Sequence, residues 1–205
     1  MPIRRGAGAF NSHLEITLYY NRVQLATEDA LYSDGDKYMP AIVAINTIKA
    51  FLPSLHNILV LGCGLGSMVQ VIRGRGFNPH FTLVEKDKVI LQWAMEFLGA
   101  KEPGKTEPVC NDAEAFMAKN KAKFDFIFLD VFIGRVVPPF VYTPAFLIQC
   151  RNSLVTGGHI AFNYIVNSEL EWENVKNTFA DIFPEHEIVK SGINRVLIGK
   201  NADTL

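Results

Sequence analysis

A chain of 205 residues, 49% hydrophobic and 20% charged, carries enough apolar material to bury one substantial core. Its net charge of -1, with lysines and arginines scattered along it, offers no broad basic face and argues against a nucleic-acid binder. No run is long and apolar enough to span a membrane, and the opening Met1-Pro-Ile-Arg-Arg-Gly-Ala-Gly-Ala lacks the apolar centre of a secretion signal, so the expected location is cytoplasmic.

Residues 14 to 32 read as a β-hairpin, with Leu14-Glu-Ile-Thr-Leu-Tyr-Tyr and Val23-Gln-Leu-Ala-Thr on either side of Asn21-Arg22. Residues 1–37 are therefore assigned to a small N-terminal hairpin extension, and its strand bearing Tyr19 and Tyr20 suggests a homodimer paired through that edge. The main domain, 38–205, opens with a helix from Tyr38 to Leu52, where Ala41, Ile42, Ile45, Ile48 and Phe51 recur at helical spacing before Pro53.

Strands at 58–61, 81–85, 107–111, 124–130 and 159–165 then alternate with helices at 66–75, 87–98, 113–121 and 144–155. Thr143-Pro144 supplies a cap and a first-turn proline to the last of these helices, and Gly157-Gly158 is expected to close it. Such alternation implies a parallel sheet covered on both faces. Ser168-Glu-Leu-Glu171 is a capping box for a further helix with Trp172, Val175, Phe179 and Ile182 inward. The two strands that follow, around Ser191-Gly-Ile-Asn, are joined too closely to be anything but antiparallel. The expected fold is α/β and Rossmann-like, and its element order resembles the class I methyltransferase sheet: seven mostly parallel strands with an antiparallel C-terminal strand.

Cys63, Cys110 and Cys150 are widely spaced and form no CxxC pair, so they read as small buried hydrophobes and not as a disulfide framework or zinc site. His13, His56, His80, His159 and His186 lack metal-ligand spacing and read as surface or capping residues; no metal is expected.

The chemistry concentrates in Ile58-Leu-Val-Leu-Gly62-Cys63-Gly64-Leu65-Gly66-Ser67. An apolar strand, a glycine turn and a helix start are followed 19 residues beyond Gly66 by Glu85, an acid at the next strand's tip. Glycines allow a sharp turn close to a ligand, and the acid can accept hydrogen bonds from ribose hydroxyls, so the pattern points to an adenosine-bearing cofactor. Asp112 and Asp130 end the next strands and should face the same crevice. Asp112 is also a natural N-cap, with Ala113 offering an amide to an adenine ring; an acid at Asp130, after Phe126-Ile-Phe-Leu, is costly unless it has a function. The serine at position 67 and the antiparallel C-terminal pair argue against a nicotinamide dinucleotide, and no Gly-Lys-Ser/Thr ending supports a P-loop. S-adenosylmethionine or a derivative fits better.

With these motifs the chain resembles the spermidine synthase-like family, through the hairpin with Gln24, the Tyr38 helix, the glycine turn, Glu85, Asp112-Ala-Glu-Ala-Phe, Asp130 and the segment to Tyr142-Thr-Pro-Ala-Phe. The resemblance implies a cofactor-binding set of Gln24, Gly62, Cys63, Gly64, Gly66, Glu85, Lys86, Asp112, Ala113 and Asp130, with Asp130 also catalytic and a small-molecule substrate beside it. Three positions depart from that family's pattern: Leu65 and Ile133 stand where it has carboxylates, and Pro40 where it has glutamate. An ammonium without its carboxylate costs about a hundredfold in affinity, so the expectation is a methyltransferase using intact S-adenosylmethionine, with Phe132, Pro138, Pro139 and Tyr142 shaping the acceptor pocket. The alternatives are an aminopropyltransferase using the decarboxylated cofactor and a non-catalytic nucleoside-binding or interaction protein.

Overall fold

The computed structural model describes residues 1–99 and 105–202. The predicted hairpin is the centre of a four-stranded antiparallel sheet, in the order β1 (Pro2–Gly6), β2 (Leu14–Tyr19), β3 (Arg22–Ala26) and β4 (Leu31–Asp34). Its two outer strands are short, and β1 is charged and mostly exposed, so neither carries the apolar alternation that marks a strand in sequence. The helix after it, α1 (Met39–Thr47), is shorter than its apolar spacing predicts and passes into a 3-10 turn that contains Pro53.

The large sheet contains β5 (Asn57–Leu61), β6 (His80–Glu85), β7 (Thr106–Cys110), β8 (Phe124–Leu129), β9 (Leu154–Ile165), β10 (His186–Ser191) and β11 (Asn194–Lys200), in the spatial order β10-β11-β9-β8-β5-β6-β7. Strands β5 to β9 pair in parallel and β11 runs against β9, as the alternation and the closing hairpin predict. Helices α2 (Ser67–Arg73), α3 (Lys88–Leu98), α4 (Ala113–Lys119), α5 (Pro144–Asn152) and α6 (Glu169–Ile182) cover it. Successive side chains of a strand point to opposite faces, and β5 shows the result. Ile58 and Val60 join the core under α1, α2 and α3, while Leu59 and Leu61 join the core under α4, α5 and α6.

Gly157 and Gly158 do not close α5. The helix ends one turn earlier at Ser153, and both glycines lie inside β9, where a Cβ on Gly158 would press on the Asp125 carbonyl at 3.1 Å. Two further expectations are corrected by strand position. His159 is buried on β9 with its ring 4.3 Å from that of Phe51, and burial lowers its pKa. Cys110, at the tip of the sheet-edge strand β7, is exposed, while Cys63 and Cys150 are buried as expected. Among the described residues no helix is long and apolar enough to cross a membrane.

The small sheet is docked by a third apolar cluster, in which Leu14, Ile16 and Leu25 pack on Leu65, Ile90 and Trp93. Full burial of each such side chain is worth roughly 1.5–3 kcal/mol. The small sheet therefore sits over the glycine turn and α3, roofing the carboxyl edge of the large one.

Candidate active site

Between roof and edge lies a cavity of about 450 Å³, a volume suited to a small-molecule ligand. Because the parallel strands all end here, the sheet order sets its long axis. One end is lined from the tips of β5, β6 and β7 by Gly62, Gly64, Glu85, Lys86, Asp112 and Ala113, as their shared crevice predicts. Asp130, at the tip of β8, stands at the middle, and Ile165 and Asn194, from β9 and β11, mark the other end.

Gly62 (φ +80) is required by packing: a Cβ there would lie 2.2 Å from the Asp130 carbonyl oxygen. Gly66 (φ +77) precedes α2, and a Cβ would strike Leu98 at 2.3 Å, so it does not line the cavity. Cys63 is likewise buried outside it, its thiol directed to the Gly64 carbonyl. Gln24 lies outside the lining too; its amide donates to Asp34 Oδ1 at 2.8 Å while Arg22 holds Asp34 Oδ2 at 3.0 Å. Asp34 itself lines the cavity, and its backbone amide donates to Ser67 Oγ at the start of α2 (3.3 Å), tying the roof to the helix that follows the glycine turn.

Glu85 accepts the Asp87 amide at 3.0 Å, and burial pushes its pKa up to about 6 against the opposing effect of backbone donors. Asp112 does cap α4, accepting the amides of Glu114 (2.8 Å) and Ala115 (3.3 Å), while still lining the cavity. Asp87 caps α3 through Oδ1, but its buried Oδ2 has no hydrogen-bond partner among the described residues. That oxygen lies against Gly8, where a Cβ would meet it at 1.7 Å. The carboxylates of Glu85 and Asp112 beside Gly62, Gly64 and Ala113 are a donor and acceptor set that fits an adenosyl group.

Asp130 is held by two partners far away in the chain, one of them braced by a third residue. Tyr38 Oη donates to its Oδ1 at 3.2 Å and Asn163 Nδ2 at 2.7 Å; Asn194 Nδ2 in turn donates to Asn163 Oδ1 at 2.8 Å. That last bond fixes which way the Asn163 amide faces. Burial pushes the Asp130 pKa up to about 7, with Asn163 and Tyr38 opposing the rise and the Glu85 charge adding to it. Such a group is a stronger base than an ordinary carboxylate and still ionises near neutral pH.

Several sequence-derived assignments around Asp130 are corrected. Leu65 is buried at 1% exposure in the cluster that docks the small sheet, because that sheet's apolar face needs a partner. Ile133 pairs with Val136 in an isolated bridge and does not line the cavity. Of the proposed acceptor pocket only Phe132 lines it; Pro138, Pro139 and Tyr142 do not, and Tyr142 donates instead to Glu171. Sequence reading overlooked Asn163 although its signal resembles that of Asp130, a polar residue within the apolar run Ile160-Ala-Phe-Asn-Tyr. Tyr32, on the unrecognised β4, was also missed: its hydroxyl donates to Asn11 (3.1 Å) and accepts the Gly134 amide (2.7 Å), tying together two loops beside the cavity.

No protein-family model matches the chain. A polyamine aminopropyltransferase of Vibrio vulnificus is 27% identical over 167 residues, covering 78% of this chain and 56% of that protein. The chain thus spans little more than half the length of this curated relative. A structure described as a probable spermidine synthase from Corynebacterium glutamicum superposes with a TM-score of 0.79 at 19% identity, covering all of this chain and 82% of that one. Human methyltransferase-like protein 13, in complex with SAH, superposes at 0.67 with 17% identity, covering 81% and 80%. The fold is the Rossmann-like class I methyltransferase fold. Within that class the chain is spermidine synthase-like in sequence and in architecture.

Proposed function

We propose that the protein is a transferase that binds an S-adenosyl-derived donor at the β5–β7 end of the cavity and moves its aminopropyl group to an amine nitrogen. The observation that carries this reading is Asp130: midway along the cavity, held by Tyr38 and Asn163, with a pKa pushed up to about 7. An acceptor amine arrives as an ammonium of pKa about 10 and must lose a proton before it can attack. Asp130 takes that proton, the freed electron pair forms the new C–N bond, and the C–S bond breaks to release methylthioadenosine. The names of the curated relatives support the same reading.

Of the three departures that favour methyl transfer, those at Leu65 and Ile133 weaken on the structure, while Pro40 does line the cavity. In this reading the carboxylate absent at Leu65 is supplied by Asp34, which lines the cavity with Arg22 and Gln24 on its two oxygens. Ile133 lies outside the cavity lining. Methyl transfer remains the second reading, favoured by the apolar Pro40 in the cavity lining. Incubation with decarboxylated or intact S-adenosylmethionine and a mixture of primary amines separates the two. Methylthioadenosine release from the decarboxylated donor, lost in Asp130→Asn, is the expected result; S-adenosylhomocysteine release from the intact donor would favour methyl transfer.

A further inference from the structure

The two ends of the cavity differ in charge. The β5–β7 end holds Glu85, Asp87 and Asp112, whereas beyond Asp130 the lining turns apolar, with Met39, Pro40, Phe132, Ile165 and Ile193. Met39 is 52% and Ile193 53% exposed, large apolar side chains left open at the mouth. An apolar patch rimming a pocket marks where an apolar group docks. The charged groups beside these residues are Arg135, Asp29 and Lys37, the last paired with exposed Asp36 at 3.4 Å. Arg135, exposed on the loop after β8, lines the mouth and has no carboxylate partner within ion-pair distance among the described residues. Asp29, also exposed, lies against Gly134 and accepts the Thr27 hydroxyl at 3.2 Å. A solvated carboxylate beside an arginine offers a second ammonium little.

From this asymmetry we propose that the acceptor is a primary amine carried on an apolar body with no second positive charge; the proposal rests on the aminopropyl-transfer reading above. The reacting nitrogen meets Asp130, and the rest of the molecule lies along Ile165 and Ile193 towards the mouth. A diamine placed there would bring its far ammonium among apolar side chains and towards Arg135, losing hydration without a buried counter-charge. Each methylene buried instead tightens binding about fourfold.

The test is calorimetric titration of 1-aminopentane and of 1,5-diaminopentane, equal in chain length, into protein saturated with methylthioadenosine. The monoamine is expected to bind at least tenfold more tightly. Equal or tighter binding of the diamine overturns the proposal, as does binding of neither amine to protein that does bind methylthioadenosine. Failure of methylthioadenosine itself to bind strikes the transferase reading first and removes this proposal with it. Ile193→Asp, at an exposed turn, should shift the preference towards the diamine by tenfold or more. An unchanged preference would take the rim out of the acceptor site and refute the assignment.

Discussion

The two ends of the cavity are built in different ways. At the end proposed for the nucleoside, each strand delivers its own polar group at its own tip: the glycine turn after β5, Glu85 ending β6, Asp112 after β7. At the end proposed for the acceptor, one carboxylate is positioned by residues far away in the chain, Tyr38 at a separation of 92 and Asn163 at 33, with Asn194 behind Asn163. The first end is robust because its contacts are local. The second depends on the whole fold being assembled.

The largest expected effect lies at the join of the two ends. Asp130→Asn should lower turnover by about 10³-fold, since a positioned base contributes on the order of 10²–10⁴. In the wild type, kcat/KM should rise as pH passes through about 7, and steady-state rates from pH 5 to 9 read this directly. Stability moves the opposite way. The folded pKa of Asp130 is raised, so its protonated form contributes stability below the unfolded value near 4, and this is lost as pH rises through about 7. Asp130→Asn should accordingly raise Tm at pH 8 and leave it nearly unchanged at pH 4.

Next comes Leu65→Asp, which restores the carboxylate expected of the family but places it in the cluster beneath the small sheet. A destabilisation of about 3 kcal/mol is expected by urea denaturation. A stable variant with tighter binding of decarboxylated S-adenosylmethionine would mean that this position faces the ligand. Asp34→Asn should then weaken that donor about tenfold while leaving methylthioadenosine, which has no ammonium, within twofold. Calorimetry with the two ligands reads the difference. The smallest effect belongs to Asn194→Ala, which frees the Asn163 amide to turn: kcat should fall about fivefold with KM unchanged and the pH midpoint displaced upward, because Asp130 loses part of the donor that lowers its pKa. An unchanged pH profile would make Asn194 merely structural.

The same contrast explains what could be read from sequence. The strand-turn-helix-acid unit from Ile58 to Glu85 is contiguous, its apolar run and glycines fall at fixed offsets, and the parallel sheet follows from the alternation around it. Glu85, Lys86, Asp112, Ala113 and Asp130 all reach the cavity as expected. Gln24, Cys63 and Gly66 do not, because in each the neighbouring element claims the residue: Asp34 takes the amide, the core takes the thiol, and Leu98 takes the space over Gly66. Leu65 shows the limit most plainly. The resemblance implies a ligand contact at this position, and only the docking of the small sheet, set by Leu14, Ile16 and Leu25, shows where the side chain goes. Asn163 and Asn194 carry no local motif at all, since their role exists only once β9 and β11 pair.

The central claim is that the carboxyl edge of the large sheet is a nucleoside site feeding Asp130. Calorimetric titration of methylthioadenosine into the wild type and Glu85→Ala tests it most directly. Binding of one ligand per chain, weakened at least tenfold by the substitution, is the predicted result. Absence of binding to the wild type, or binding that Glu85→Ala leaves unchanged, would contradict it.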